Sequence, residues 1–216
     1  MKTTRIIAIR HGETAWNVDT RIQGQTDIGL NDKGHWQARQ AAAALAHEPI
    51  AAIYTSDLTR AHETARAIAQ VQGLTPQTEV GLRERAFGIF EKRTWAEIES
   101  LWPDDARQWR ERVPEWAPAN GESLLALRER IQNLTHALAA RHVGEQIVLV
   151  AHGGVMDILY RLATQQTLQA PRTWALGNAN INRLLWSPQG LSLVGWGDAR
   201  DRKSTRLNSS HGYISY

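Results

Sequence analysis

Two short apolar runs in this chain stop at the same dipeptide. Residues 3–9 lead into Arg10-His11-Gly12, and residues 146–151 (Gln-Ile-Val-Leu-Val-Ala) lead into His152-Gly153. Runs this short, β-branched and without polar alternation read as strands buried on both faces, the pattern of a parallel sheet covered by helices. The segments between them agree. Asn31 stands as N-cap of an Ala-rich helix over residues 32–47, ended by Pro49. A second strand over 51–54 is followed by a helix over 58–72 that stops at Gly73. Strand, helix, strand, helix at this spacing signals βαβ units. Further on, Leu124, Leu127, Ile131, Leu134 and Leu138 recur in steps of three and four, one apolar face of a helix within 122–141. Residues 153–163 give the helix after the second His-Gly. Residues 181–186 and 191–196, joined by Ser187-Pro188-Gln189-Gly190, give a hairpin. We expect a three-layer α/β/α fold with a mostly parallel central sheet.

The chain has 216 residues, 42% of them apolar, enough for one domain with a substantial core, expected over residues 1–200. No run approaches the roughly 18 apolar residues of a membrane span. The first run is shorter than the about 7–15 residues of a signal-peptide core. A soluble, cytoplasmic protein without a membrane partner is expected. Cysteine is absent, which excludes disulfides, thiolate metal sites and cysteine nucleophiles. The net charge is +3, of which Arg202, Lys203 and Arg206 against Asp201 contribute +2. The rest carries no basic footprint for nucleic acid. The tail over 201–216 has no strand or helix period and resembles read-through of an adapter; we expect it to be non-native or disordered.

Residues 82–92 read as irregular and 94–102 as a short helix capped by Thr94. Pro103 breaks it, and Pro114 and Pro118 punctuate the stretch up to residue 120. Trp95, Trp102, Trp109 and Trp116 fall at intervals of seven, the spacing of a coiled-coil seam. Pro103 and Pro114 forbid one helix through them, which leaves separate packing anchors or an aromatic rim over a pocket. Residues 86–120 are expected to form a small helical and loop insertion over the site.

In open α/β sheets ligands bind beyond the carboxyl ends of the strands. His11 and His152 can therefore share one site. The other six histidines, His35, His47, His62, His136, His142 and His211, are expected on helices or in the tail and read as structural. Arg10 sits beside His11, and Arg60 opens the helix after the second strand. A guanidinium meets a phosphate with two parallel, charge-assisted hydrogen bonds. Gly12 permits close backbone approach. A neutral imidazole can accept a phosphoryl group, and a second can donate to its equatorial oxygens as charge builds there. This much positive charge suits phosphoryl transfer without a metal or a cofactor. Other phosphoryl-transfer machinery is missing. Gly24 and Gly29 are followed by Leu30-Asn31, not the Lys-Ser/Thr of a P-loop. No Asp-x-Asp nucleophile loop and no zincin His pair occur. Gly121-Glu122-Ser123 is not a nucleophile elbow; it reads as a helix start or a pocket rim.

Together, Arg10-His11-Gly12-Glu13-Thr14, Asn17, Gln23-Gly24, Ser56-Asp57-Leu58-Thr59-Arg60-Ala61 and Ala151-His152-Gly153-Gly154 resemble the motifs of the histidine phosphatase superfamily, the phosphoglycerate mutase-like proteins. The resemblance covers most of residues 4–197 and implies that family's fold. It implies His11 as nucleophile, forming a phosphohistidine, with Arg10, Arg60 and His152 completing the phosphate pocket. It implies Asn17 on the phosphoryl group, and Gln23, Gly24 and Gly153 near the substrate. Glu84, in Leu82-Arg83-Glu84-Arg85-Ala86-Phe87-Gly88, would donate a proton to the leaving oxygen.

Within the family the choice lies between mutase and phosphatase. The resembling mutases carry His-Tyr where this chain has Ala86-Phe87. They carry an Arg pair that holds a second acidic group, and no Arg-Arg occurs here. They have Asn where this chain has Gly154. Lys92, Arg93, Arg107, Arg110 and Arg112 could still face a substrate or form a solvated face. The expected function is a metal-independent histidine acid-type phosphatase acting on small phosphorylated metabolites. A cofactor-dependent phosphoglycerate mutase and a non-catalytic phosphate-binding module are the alternatives. A homodimer is left open.

Overall fold

The computed structural model describes residues 2–198, so the expected tail over 201–216, with His211, lies outside the described residues. The strands are β1 (Thr4–Arg10), β2 (Ala52–Thr55), β3 (Gln77–Thr78), β4 (Gln146–Ala151), β5 (Ile181–Ser187) and β6 (Gly190–Asp198). The helices are α1 (Ala15–Val18), α2 (Asp32–Ala44), α3 (Thr59–Gln72), α4 (Trp95–Leu101), α5 (Pro103–Arg110), α6 (Leu124–Ala140) and α7 (Gly153–Thr164). The strands form one sheet in the order β3-β2-β4-β1-β5-β6. β1, β2, β3 and β4 run parallel; β5 is antiparallel to β1, and β6 to β5. The strand–helix alternation thus yields the α/β fold with a mostly parallel sheet. β3 was not anticipated, because Gln77 and Thr78 are exposed and polar and carry no period.

The sheet is buried on both faces, and the side-chain period of two divides its residues between two cores. Ile6, Ala8, Tyr54, Ile147 and Leu149 pack with Leu127, Ile131, Ile158 and Leu159 of α6 and α7. Ile7, Ile9, Ile53, Val148 and Val150 point the other way, with Ala42, Ala61, Ala65 and Ile68 of α2 and α3. Each large aliphatic side chain taken fully out of water contributes roughly 1.5–3 kcal/mol. β1, β2 and β4 each supply both cores.

Several boundaries differ from the sequence reading. α2 ends at Ala44, not at residue 47: Leu45 and Ala46 tighten onto Ala42 and Ala43 with three-residue turn bonds ahead of Pro49. His47 therefore lies in a turn rather than on a helix. His142 also follows its helix, where its ring bonds the Tyr54 hydroxyl at 2.8 Å and the Glu145 carboxylate at 2.6 Å. Pro103 starts a helix as well as ending one, because proline at the first helical position gives up a donor that would be unpaired anyway. The four evenly spaced tryptophans form no seam. Trp95, Trp102, Trp109 and Trp116 pack around Phe87, Phe90 and Ile98 in a third, smaller core, with Phe87 and Trp109 stacked at 4.8 Å.

The close approach that Gly12 permits is to α2 and not to a ligand. A Cβ on Gly12 would stand 2.5 Å from the Gly34 carbonyl oxygen, and one on Gly34 would stand 2.0 Å from the Glu13 oxygen. These neighbours are backbone atoms, so a methyl group must push α2 away from the segment leaving β1. Gly34→Ala should therefore lower stability by about 1–3 kcal/mol, read as a lower urea midpoint. An unchanged midpoint would show that this contact tolerates movement.

Candidate active site

The register of β1 on β4 builds the centre of the site. Arg10 pairs with Ala151, and the His11 N–H donates to the Ala151 carbonyl at 2.9 Å. His11 and His152, each one residue beyond its strand, are therefore neighbours, with ring centroids 5.2 Å apart. His11 is 2% exposed and His152 0%. β2 lies on the other side of β4 and delivers the first turn of α3, with Arg60 1% exposed. The Arg60 guanidinium donates to the carbonyls of Gly24 at 2.7 Å and Thr26 at 2.9 Å. That of Arg10 donates to Leu176 at 2.5 Å. Carbonyls orient both groups without cancelling their charge. Among the described residues, Arg10 Nε, Arg60 Nε and both ring nitrogens of His152 are buried without a hydrogen-bond partner, as is Gln23 Oε1. A buried donor left unmade costs about 1–3 kcal/mol, so the two Nε–H groups and the one N–H of a neutral His152 together favour an incoming oxyanion, whereas Gln23 Oε1 can only accept.

His11 has a defined tautomer. Its Nδ1 lies 2.7 Å from the Gly12 carbonyl oxygen, which can only accept, so Nδ1 carries the proton. Nε2 then holds the lone pair. Burial first, and then the charges of Arg60 and Arg10, hold the His11 pKa well below the usual imidazole value. Burial, Arg60 and His11 do the same to His152. Both rings are neutral near pH 7. Burial also lowers Arg60, to about 10, where it remains charged.

Glu84 reaches this centre from the turn after the 3-10 segment Val80–Leu82. Its carboxylate accepts from the Gly154 N–H at 3.0 Å through either oxygen, and from the Arg85 N–H at 2.8 Å. The flanking arginines fix it. Arg83 forks onto Asp57. Arg85 donates to the Glu122 carbonyl at 2.7 Å and stands over Phe87 at 5.4 Å. Gly154, absent from the sequence-derived site, lies against this carboxyl end: a Cβ on it would stand 2.3 Å from Glu84 Oε1 and make that side chain shift.

A cavity of about 760 Å³ opens over these groups. Arg10, His11, Asn17, Gln23, Gly24, Arg60 and Glu84 line it. His152 and Gly153 do not; Gly153 sits behind, 3.6 Å from Arg10 Nε and 3.7 Å from Glu84 Oε2 when given a Cβ. Asn17 was expected on the phosphoryl group, but its Oδ1 is committed to capping α1, accepting from the Thr14 N–H at 3.0 Å and the Thr14 hydroxyl at 3.2 Å. Only its amide NH₂ is left for a ligand. Trp16, Phe87, Trp109 and Trp174 give aromatic walls, and Arg21, Lys33 and Arg172 add charge that the sequence reading missed. Phe87 and Trp109 belong both to the tryptophan core and to the cavity wall.

Glu91 was missed as well. Its carboxylate accepts from the N–H groups of Gln25, Thr26 and Phe87 and from the Thr26 hydroxyl, between 2.7 and 3.1 Å. It clamps the carbonyl loop that holds Arg60 to the segment bearing Glu84. Lys92, Arg93, Arg107, Arg110 and Arg112 do not line the cavity. Three of them pair with acids: Arg107 with Asp104, Arg110 with Glu99 and Arg112 with Asp157. Ser123 caps α6, and Glu122 pairs with Arg130, so Gly121-Glu122-Ser123 is a helix start. Among the described residues no three His, Asp or Glu side chains converge to hold a metal ion. No described helix is long and apolar enough to cross a membrane.

The profile of the histidine phosphatase superfamily (branch 1) matches residues 6–199. Phosphoglycerate mutase-like protein 4 of Arabidopsis thaliana is 35% identical over 204 residues, covering 93% of this chain and 87% of that protein. Glucosyl-3-phosphoglycerate phosphatase of Mycobacterium tuberculosis is 34% identical, covering 87% of this chain and 89% of its own. A solved mycobacterial glucosyl-3-phosphoglycerate phosphatase superposes with a TM-score of 0.80 at 31% identity, over 91% of this chain and 99% of that one. Metal-independent phosphoserine phosphatase of Arabidopsis thaliana is 34% identical, covering 91% and 82%.

The two depressed imidazoles link the site to stability. Below the ordinary value of 6.5, unfolded His11 and His152 take protons that the folded rings refuse. Stability is therefore lost as pH falls from there toward the depressed values, by up to about 1.4 kcal/mol per pH unit for each ring. Urea unfolding between pH 7 and 5 should show a shallower slope for His152→Asn than for the unsubstituted chain. Parallel slopes would mean that His152 titrates normally.

Proposed function

The chain belongs to the histidine phosphatase superfamily (branch 1), and we propose that it hydrolyses phosphomonoesters of small metabolites through a phosphohistidine on His11. The observation that carries this reading is the His11 tautomer, with Nδ1 tied to the Gly12 carbonyl and Nε2 left with its lone pair beside two guanidiniums. In the first step Nε2 forms a bond to phosphorus as the ester P–O bond breaks. Glu84, carrying its proton, gives it to the departing oxygen. Arg10 and Arg60 hold the equatorial oxygens as charge builds on them, which is where fixed donors lower the barrier most; His152, packed beside His11 just beneath the cavity lining, turns its unpartnered N–H to the same group. In the second step water attacks phosphorus, Glu84 takes its proton, and the N–P bond breaks. Inorganic phosphate and neutral His11 result. The arginines supply the positive charge, and the chemistry is metal-independent, as the name of the phosphoserine phosphatase relative states for that enzyme.

A mutase must keep its phosphohistidine for a second acid substrate, and the basic residues of segment 86–120 do not reach the cavity. That favours hydrolysis. The aromatic part of the same segment, Phe87 and Trp109, covers the site and contributes to substrate choice. Small soluble substrates fit a cytoplasmic enzyme.

p-Nitrophenyl phosphate should be turned over in excess chelator, and His11→Asn should abolish this while His35→Ala does not. Binding without turnover would support a phosphate-binding module instead. Glu84→Gln should slow alkyl phosphates by roughly 10²–10⁴-fold and p-nitrophenyl phosphate far less, since p-nitrophenolate leaves without a proton. Equal losses on both would mean that another group is the acid.

A further inference from the structure

The loop over residues 23–26 has a charge on each side. Its carbonyls face a cation: the Arg60 guanidinium donates to Gly24 at 2.7 Å and to Thr26 at 2.9 Å. Its N–H groups face an anion, the half-buried carboxylate of Glu91. Glu91 Oε1 accepts from the Gln25 N–H at 3.0 Å, and Oε2 from the Thr26 N–H at 3.0 Å and the Thr26 hydroxyl at 2.7 Å. Oε1 also accepts from the Phe87 N–H at 3.1 Å, in the segment that carries Glu84. Successive N–H groups turned onto one anion make a concavity that holds negative charge. Gly24, at a φ of +53°, supplies the left-handed residue that the turn needs.

The peptide between Gly24 and Gln25 joins the two charges directly. Its carbonyl accepts from Arg60 while its N–H donates to Glu91. Both charges polarise this peptide in the same sense, so each hydrogen bond strengthens the other. Burial lowers the Arg60 pKa to about 10, and the charges of Glu84, Asp27 and Glu91 oppose that fall. Arg60 spends a donor of each terminal nitrogen on the loop and leaves its buried Nε without a partner. The two carbonyls therefore determine how the guanidinium meets a phosphoryl group. Glu91 determines where those carbonyls stand, yet does not itself line the cavity.

We propose that Glu91 is a positioning residue for phosphoryl transfer, acting through the Gly24 and Thr26 carbonyls to hold the Arg60 guanidinium in place for the transferred group. The proposal rests on the phosphatase reading above. Glutamine at this position has the same size but only one acceptor oxygen, beside an NH₂ group. Whichever way that amide turns, its NH₂ meets an N–H donor of the loop. One half of the concavity is then released, and the carbonyl behind it loses its support.

The test is a double-mutant cycle between Glu91 and Arg60. Glu91→Gln should lower kcat/KM by roughly 10–100-fold, the range for hydrogen bonds to a charged group. The loss should be the same for p-nitrophenyl phosphate and for alkyl phosphates, because it arises at the phosphate end. In an Arg60→Ala background the same substitution should change kcat/KM by no more than about 2-fold, since the group it acts through is gone. If Glu91→Gln does not fold, Thr26→Val carries the comparison: it removes the hydroxyl donor, keeps every backbone group, and should cost roughly 3–10-fold with Arg60 present and nothing without it. An unchanged kcat/KM, or losses that multiply independently in the Arg60→Ala background as a purely structural role would give, overturns the proposal while the phosphatase reading stands. A loss confined to alkyl phosphates overturns it as well, by placing Glu91 on the acid instead. If the unsubstituted chain releases phosphate from no ester, the phosphatase reading falls. The cycle is then read by calorimetry in the Kd for inorganic phosphate, where weakening by Glu91→Gln that depends on Arg60 upholds the positioning role and independent weakening overturns it.

Discussion

The parallel pairing of β1 with β4 dictates the geometry of the site. One more ladder bond beyond the last paired residues, from the His11 N–H to the Ala151 carbonyl, fixes the two strand ends level with each other. Side chains one residue past each end must then stand side by side. A slip of register would move one imidazole to the far face of its strand. The two cores forbid that slip, because the alternating residues of both strands are buried in opposite layers. The same packing that stabilises the sheet thus holds the histidine pair in place.

Around that pair the electrostatics are arranged in opposition. Two guanidiniums, that of Arg60 buried and that of Arg10 half-buried, are oriented by carbonyls, and two imidazoles are kept neutral by burial and by those guanidiniums. Neutrality suits a nucleophile, and retained positive charge suits the transferred group. The donors are fixed before the substrate arrives, so little reorganisation is needed when charge develops. Glu84 brings the acid to the rim, where the Gly154 N–H holds its carboxyl end and a Cβ at residue 154 would make it shift. Glu91 ties the loop that orients Arg60 to the segment that carries Glu84, so the phosphate end and the acid end move as one unit.

The sheet and its crossing helices were legible because their signals are local. Buried strands lacking polar alternation, helical periodicity and caps such as Asn31 and Thr94 can each be read within a few residues. The His-Gly pair was legible because strand ends in such a sheet have a known place. Other features were not. β3 has two polar residues and no period. Pro103 reads alike whether it ends a helix or begins the next. The approach of Gly12 to Gly34, and of Glu84 to Gly154, joins residues distant in sequence, and nothing in either neighbourhood announces the partner. Glu91 and Arg172 have unremarkable neighbours, and their place at the site comes from folding alone. Asn17 shows the converse: the family resemblance marks it, yet half of its amide serves a helix cap.

Hydrolysis by this site requires that the Nε2 of His11 become phosphorylated during turnover. Rapid alkaline quenching of the enzyme in steady state with a labelled phosphomonoester, followed by peptide mapping, reads that step out. Label is expected on His11 alone, in the peptide following β1, and none in the His152 peptide. Label on His152 or another side chain, or turnover with no covalent phosphoenzyme and inversion at phosphorus, would contradict it.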